Sequence, residues 1–348
     1  MNSNFPGGTL RRPVLAVVAA ILLVFPLCGI ARGGNLKVVA ATFPVYVLAR
    51  DVACDCKGIE VELLVPAGTG CPHEYAPTPA DLRRLARADV LLLQGWGLES
   101  FLERDAFKGT VVEVARDLRP LPSNAEVEDG DHDHGHAGRP HGDHEHDGRD
   151  HAGHGHGDHE HAGHAHGGHE HGHGHGAFNV HLFASPGAAA AMVCTIAEEL
   201  GKRSPACLET LRTQAAKIAG RLEDIQARLR ALRPLVRGRG VLLQHDSLTY
   251  LVHETGLAIR GVIQENEDAP PSAARLLAFR ESMRRRPPLR ILADARSPSK
   301  AVATLSAESR VPVLALDPVA AGPADAPAGW YVDVMDANCR ALEALLHE

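Results

Sequence analysis
Short, nearly unbroken apolar runs alternate along this chain with longer segments whose apolar residues recur every three or four positions. Leu36 to Ala41, Ile59 to Val65, Val90 to Leu93 and Thr110 to Val114 are rich in β-branched and aliphatic residues and are bounded by turn formers. Continuous rather than alternating hydrophobicity predicts strands buried on both faces, as in a parallel sheet. Between them, Thr78-Pro79-Ala80-Asp81 carries a capping hydroxyl, a proline for the first helical position and an acid at the third, which predicts a helix start. A βαβα order of this kind predicts a parallel sheet covered by helices.

The same order returns late in the chain. Gly240 to Gln244, Ala258 to Ile263, Leu289 to Ala293 and Val311 to Leu316 are strand-like, while Ser272 to Arg286 and Ser297 to Arg310 are helix-like. A second α/β lobe is therefore expected. Joining the two, Leu208, Leu211, Ala215, Ile218, Leu222, Ile225, Leu229 and Leu232 recur at helical spacing. That period predicts one amphipathic helix about 45 Å long at 1.5 Å per residue. The expected division is a leader at 1–33, a first lobe at 34–203, a connecting helix at 204–236 and a second lobe at 237–348.

The leader is read from Arg11-Arg12, the apolar run Val14 to Phe25 and the small residues around Ala31-Arg32-Gly33, the three parts of a cleavable export signal. Its run of about twelve apolar residues falls short of the roughly 20 that span a membrane. Cys28 would suit a lipid anchor, but Phe25-Pro26-Leu27 precedes it where a small residue is wanted. Export implies a periplasmic location. Six of the seven cysteines follow the leader, namely Cys54, Cys56, Cys71, Cys194, Cys207 and Cys339. In an oxidising compartment such thiols pair, with a connectivity that sequence does not fix. Metal binding by Cys54, Cys56 and Cys71 near His73 is the alternative. A formal charge of -7 with only 4% aromatic residues offers nucleic acid neither a basic stripe nor a stacking platform, so no such partner is expected.

From Glu126 to Gly176 the hydrophobic pattern vanishes. All but five of the 22 histidines lie here among Gly, Asp and Glu, and no apolar residue is larger than Val127. Nothing in such a stretch offsets the entropy of ordering it, so 126–176 is expected to be a disordered loop inserted in the first lobe. Imidazoles are mostly neutral at pH 7 and ligate transition metals. His154, His156, His159, His161, His164, His166, His169, His171, His173 and His175 are expected to form an auxiliary, low-affinity metal site. A site that must order its own chain binds more weakly than a preformed one.

The other five histidines are His73, His181, His245, His253 and His347. His73 follows a predicted strand and precedes the capped helix, at the carboxyl end where open α/β sheets place ligands. His181 sits just before the helix start at Ser185-Pro186, and His245 follows the strand ending in Gln244. His253, inside the helical stretch Ser247 to Gly256, and His347 read as surface residues.

The string Pro-Ala-Gly-x-x-x-Pro-His-Glu-Tyr-x-Pro-Thr-Pro-x-Asp-Leu at 66–82, and Ala88-Asp89-Val90 leading to Gly95-Trp96-Gly97-Leu98-Glu99, open a series of landmarks. His181-Leu182-Phe183-Ala184-Ser185-Pro186, Gln244-His245-Asp246-Ser247-Leu248-Thr249-Tyr250 with Glu254-Thr255-Gly256-Leu257, and Leu316-Asp317-Pro318 complete it. In that order these motifs resemble the zinc and manganese solute-binding proteins of ABC transporters, of the ZnuA type, across essentially the whole mature chain. The resemblance implies two Rossmann-like α/β lobes with parallel sheets, joined by one long rigid helix, with the metal in the inter-lobe cleft. It assigns His73 and His181 of the first lobe and His245 of the second as ligands, with Asp317 or water in the fourth place. Phe183 stands where many members have Trp, and Cys71 is unusual before Pro-His. Three imidazoles and one oxygen suit tetrahedral Zn2+, whereas Mn2+ favours more oxygen donors. The implied role is a monomeric carrier, not an enzyme, that passes Zn2+ to an ABC transporter membrane permease. A zinc hydrolase is the rival, but its His-Glu-x-x-His signature occurs only at His169 to His173, within the loop rather than on a helix. A storage protein acting through the loop alone is the third reading.

Overall fold
The computed structural model describes Met1 and residues 35–70, 72, 75–123, 178–264 and 270–347. The rest of the predicted leader, the histidine-rich stretch 126–176 with its auxiliary histidines, and Cys71, His73 and Glu74 lie outside the described residues.

Among the described residues, two parallel four-stranded sheets organise the fold. The first contains β1 (Leu36–Ala40), β2 (Ile59–Leu63), β3 (Val90–Leu93) and β4 (Thr110–Glu113) in the order β2-β1-β3-β4. The second contains β5 (Gly240–Leu243), β6 (Ala258–Val262), β7 (Ile291–Asp294) and β8 (Val313–Leu316) in the matching order β6-β5-β7-β8. Every strand pairing within these two sheets is parallel. In each sheet the order reverses beside the first strand, which opens a crevice at the carboxyl ends of the central strands.

Burial on both faces accounts for the unbroken apolar runs. Val38 and Ala40 of β1 face a large central core, while Val39 and the following Ala41 face a smaller one with Leu64, Leu91 and Leu93. Val241 and Leu243 of β5 likewise face the central core, and Leu242 faces an outer cluster with Ile263 and Ile291. Alternation is therefore present in space, where each successive side chain meets a different core.

Helices complete the layers: α1 (Phe43–Ala53), α2 (Pro79–Leu85), α3 (Pro186–Arg203), α4 (Leu208–Ala231), α5 (Thr249–Thr255), α6 (Ala273–Arg285), α7 (Lys300–Ser309) and α8 (Trp330–His347). At the start of α2, Thr78 Oγ1 accepts from Asp81 N, and Asp81 Oδ2 accepts from Thr78 N at 2.8 Å. That reciprocal pair is the capping box the sequence implies. In α4, Leu211, Ala215, Leu222, Ile225 and Leu229 are buried as the spacing predicts. The helix is shorter than the expected 204–236, because 3-10 turns at Pro205–Cys207 and Arg233–Leu235 flank it. At the C-terminal end, Pro234 lacks the N–H that a continuous helix needs there.

The central core runs unbroken from the first sheet through α3, α4 and α8 to the inner face of the second. Polar ties reinforce it. Arg50 of α1 donates to Ala326 O at 2.6 Å and Pro327 O at 3.0 Å, and Gly329 N donates to Asp51 Oδ2 at 2.9 Å. Gly322 N donates to Ala67 O at 2.9 Å. Only glycine allows that approach, since a Cβ there would stand 2.3 Å from the Phe43 ring. No helix among the described residues is long and apolar enough to cross a membrane.

Candidate metal centre
The segment carrying His181 is fixed by a side chain at the end of β3. Gln94, wholly buried, donates from Nε2 to Val180 O at 2.6 Å and accepts at Oε1 from Phe183 N at 3.0 Å. His181 lies between those two backbone groups. Glu99 fixes Gln94 in turn, accepting from Gln94 N at 2.7 Å and Gly95 N at 3.0 Å. The turn between them, Gly95-Trp96-Gly97, runs at φ of 95°, 57° and 89°. Left-handed backbone suits the glycines and strains Trp96.

Burial pushes the Glu99 carboxyl up to about 7, against the two N–H groups and Arg104, which favour its charged form. A folded value above the ordinary 4.5 gives stability that is complete below the ordinary value and lost as pH rises through about 7. Between about pH 5 and pH 8 the protein is expected to lose roughly 2 to 3 kcal/mol of unfolding free energy relative to Glu99→Gln. Urea titrations of both proteins at the two pH values check this; parallel pH dependence would show that Glu99 does not titrate there.

The second lobe uses the same device. Gln244, just past β5, donates from Nε2 to Ser297 O at 2.8 Å and accepts from Asp294 N at 3.2 Å. His245 then leaves the sheet in extended backbone at the head of a 3-10 turn, with Nδ1 accepting from Ser247 N at 3.3 Å.

His181 and His245 meet with ring centroids 5.3 Å apart and planes at 83°. They are 0% and 2% exposed, so the pair is sealed inside the protein. Asp246 Oδ1 lies 3.3 Å from Nδ1 of each ring. Among the described residues, His181, His245 and Asp246 form a group whose ligand atoms lie within 4.8 Å of one another. Asn179 completes the frame: its Oδ1 accepts from His181 N at 2.9 Å and stands 2.9 Å from His181 Nδ1, while its Nδ2 donates to Asp246 O at 3.1 Å. Tyr250 OH donates to Asn179 O at 2.7 Å. An acceptor at Nδ1 keeps the proton there, so His181 presents Nε2 as its lone-pair donor, the arrangement of orienting partners behind a metal ligand.

Two of the four residues that the motifs single out are thus brought together, one from each lobe. His73 lies outside the described residues. Asp317 is not in the group: its Oδ2 accepts from Arg296 Nε at 2.6 Å and its Oδ1 from Val319 N at 2.8 Å. Arg296 also lies over the Trp330 ring at 5.3 Å. A cavity of about 230 Å³ separates Gly68 and Gly70 of the first lobe from Asp294, Arg296 and Pro318 of the second. His253 is exposed on α5, as its position in the helix predicts. Sequence reasoning missed Asp246 and Asn179. The only signals were a carboxylate directly after one histidine and an amide two residues before the other.

Two parallel-sheet lobes that each contribute one imidazole to a single buried pair define a two-lobed α/β protein with its candidate site between the lobes. The family model of ZnuA, described as zinc-uptake complex component A, periplasmic, matches residues 38–345, and the chain belongs to that family. It is 27% identical over 337 residues to the zinc-binding lipoprotein AdcA of Streptococcus pneumoniae, which covers 95% of this chain and 60% of the relative. This chain therefore spans about three fifths of that protein's length. It is 24% identical over 330 residues to the high-affinity zinc uptake system protein ZnuA of Yersinia pestis, covering 90% of each. Among solved structures, the SBP FpvC of Pseudomonas aeruginosa in complex with Mn2+ superposes with a TM-score of 0.67 at 23% identity, over 90% of this chain and 98% of that one. Zn(II)-bound AdcA of Streptococcus pneumoniae gives 0.66 at 24%, over 90% and 58%. Those two likenesses bear on the fold.

Proposed function
We propose that this chain captures Zn2+ outside the cytoplasm, holds it between its lobes, and delivers it as a monomer to the membrane permease of an ABC transporter. The observation that carries the reading is the buried meeting of His181 and His245 from opposite lobes, which lets one cation tether both. Family membership and the likeness to zinc-binding and zinc-uptake proteins support zinc as cargo. In this reading His181 and His245 each give one ring nitrogen, His73 supplies a third, and Asp246 orients the rings. Asp317 joins as the fourth ligand only by exchanging Arg296 for the metal; otherwise water fills that place. Three nitrogens and an oxygen at about 2.0 to 2.2 Å make a tetrahedral zinc shell.

A carrier suits the burial better than a hydrolase does. Catalytic zinc keeps an open position for substrate, whereas both imidazoles here are sealed. Entry and release then require the lobes to part, and the ties at Arg50, Gly322, Tyr250 and Asn179 are among those that must give. The histidine-rich stretch gathers metal, raising its local concentration as a tethered site does.

Deleting residues 126–176 is the test. Competition titration against a zinc chelator is expected to show lower stoichiometry with one tight site per chain retained. Loss of the tight site on deletion would move the function to the loop and favour storage.

A further inference from the structure
The turn after α1 carries two cysteines before β2 begins. Cys54 is exposed, and Cys56 is buried at 4% exposure. Facing it is Cys207, half-buried at the residue that precedes α4. The two are 151 positions apart in sequence, yet Cys56 Sγ lies 3.9 Å from the Cys207 carbonyl oxygen. A carbonyl oxygen is about 2.4 Å from its own Cα, so the Cys56 sulfur stands within roughly 6 Å of the Cys207 Cα. Cys207 packs against the same core cluster that contains Cys56. Burial, followed by a hydrogen bond with the Cys207 side chain, pushes the Cys56 thiol up to about 12. The other described thiols have different neighbours: Cys194 lies near Glu223 and Glu198, and Cys339 lies against Ile225 O and Glu343.

We propose that Cys56 and Cys207 form a structural disulfide in the exported protein, made by exchange with a disulfide-carrying oxidant such as a thiol–disulfide oxidoreductase or a glutathione-type disulfide. The Cys207 thiolate attacks one sulfur of the oxidant and releases the first thiol, leaving a mixed disulfide. Cys56 then gives up its proton, attacks the Cys207 sulfur and expels the second thiol. Two protein thiols are oxidised, and one disulfide is reduced to two thiols. Because Cys56 is held in its protonated form, closure is the slow step and quickens as pH rises.

The bond would tie the end of α1 to the start of α4, at the edge of the first lobe. It closes the stretch that holds both the histidine-rich segment and His181. The two cysteines are 151 positions apart, and a cross-link around so long a loop removes much of the freedom of the unfolded chain. Two thiols are also too few for a closed zinc cage, which leaves pairing as the chemistry this geometry fits.

The test uses the full chain, incubated with oxidised glutathione, alkylated to trap remaining thiols, and digested without reduction. Fragment mass spectrometry is expected to find Cys56 linked to Cys207, with the link persisting in Cys54→Ser and absent after reduction. Reduction should lower the melting temperature of the wild type by about 5 °C or more, a drop that Cys207→Ser lacks. Alkylated Cys56 and Cys207 in the oxidised protein, or Cys207 joined to Cys54, would overturn the proposal. The wild-type map decides the matter alone if the serine variant does not fold.

Discussion

Replacing His181 with Ala is expected to weaken the tight zinc site by roughly 100- to 1000-fold. A four-ligand zinc site has an apparent binding free energy of about 10 to 16 kcal/mol, so one imidazole accounts for about 3 to 4 kcal/mol of it. The position magnifies the loss, because His181 is 0% exposed and water does not simply take its place. Asp246, which faces both rings, would also be left beside a void. Chelator competition on the full chain separates this site from the weaker binding of the histidine-rich stretch. His245→Ala should behave the same way, since it removes the anchor on the other lobe. His253→Ala, on the exposed face of α5, should leave affinity unchanged. Unaltered affinity in a folded His181→Ala protein would strike that residue from the ligands and leave the inter-lobe site without support.

The strands were legible in the sequence because burial on both faces leaves an unbroken apolar run, and Val90 to Leu93 needs no context to be read. Capping chemistry was equally local, as Thr78 and Asp81 show. The strands β2 and β5 end one to two residues before the apolar or buried run does, since Val65 and Gln244 still bond to the neighbouring strand beyond the last regular pair. The extent of α4 was overread because its leucine period continues into Leu232, while Pro234 stops the hydrogen-bond ladder first. Helix α8 was not anticipated at all. Its buried Tyr331, Met335, Cys339 and Leu342 follow a helical spacing, but Trp330 to Glu348 mixes polar and apolar residues enough to hide it.

At the site, His181 and His245 were legible from their place before a helix and after a strand. Asp246 was not, because only the fold reveals that one carboxylate oxygen reaches both rings. Asp317 illustrates the opposite limit. Its sequence context marks it as a candidate ligand, yet which cation it meets depends on Arg296, 21 residues away in the chain. Gln94 and Gln244 are the least visible. Each closes a strand in one lobe and pins a neighbouring segment through both ends of its amide, a role with no sequence signature beyond polarity at the end of an apolar run.

Phe183→Ala is expected to lower unfolding free energy by about 3 to 5 kcal/mol, the usual cost of emptying a large aromatic site. Against a total of about 5 to 15 kcal/mol for an ordinary domain, that is a severe loss. The ring is 0% exposed within the central core and meets the His181 ring edge to face at 5.6 Å and 87°. Its backbone is held twice, by Gln94 Oε1 accepting from its N–H and by Tyr331 OH donating to its carbonyl at 2.5 Å. Those bonds keep the chain from collapsing into the cavity, so little of the cost is recovered by relaxation. The same cavity removes one wall of the His181 ring, which couples stability to metal capture. Urea unfolding with unchanged m-value should register the drop, and saturating Zn2+ should restore part of it, about 2.7 kcal/mol at a hundredfold excess over the dissociation constant. A loss below about 1 kcal/mol would mean that the ring does not pack as described. A full loss with no rescue by Zn2+ would mean that the cavity also abolishes binding at the imidazole pair, whereas the same Zn2+ increment as in the wild type would mean that the core around Phe183 and the pair act independently.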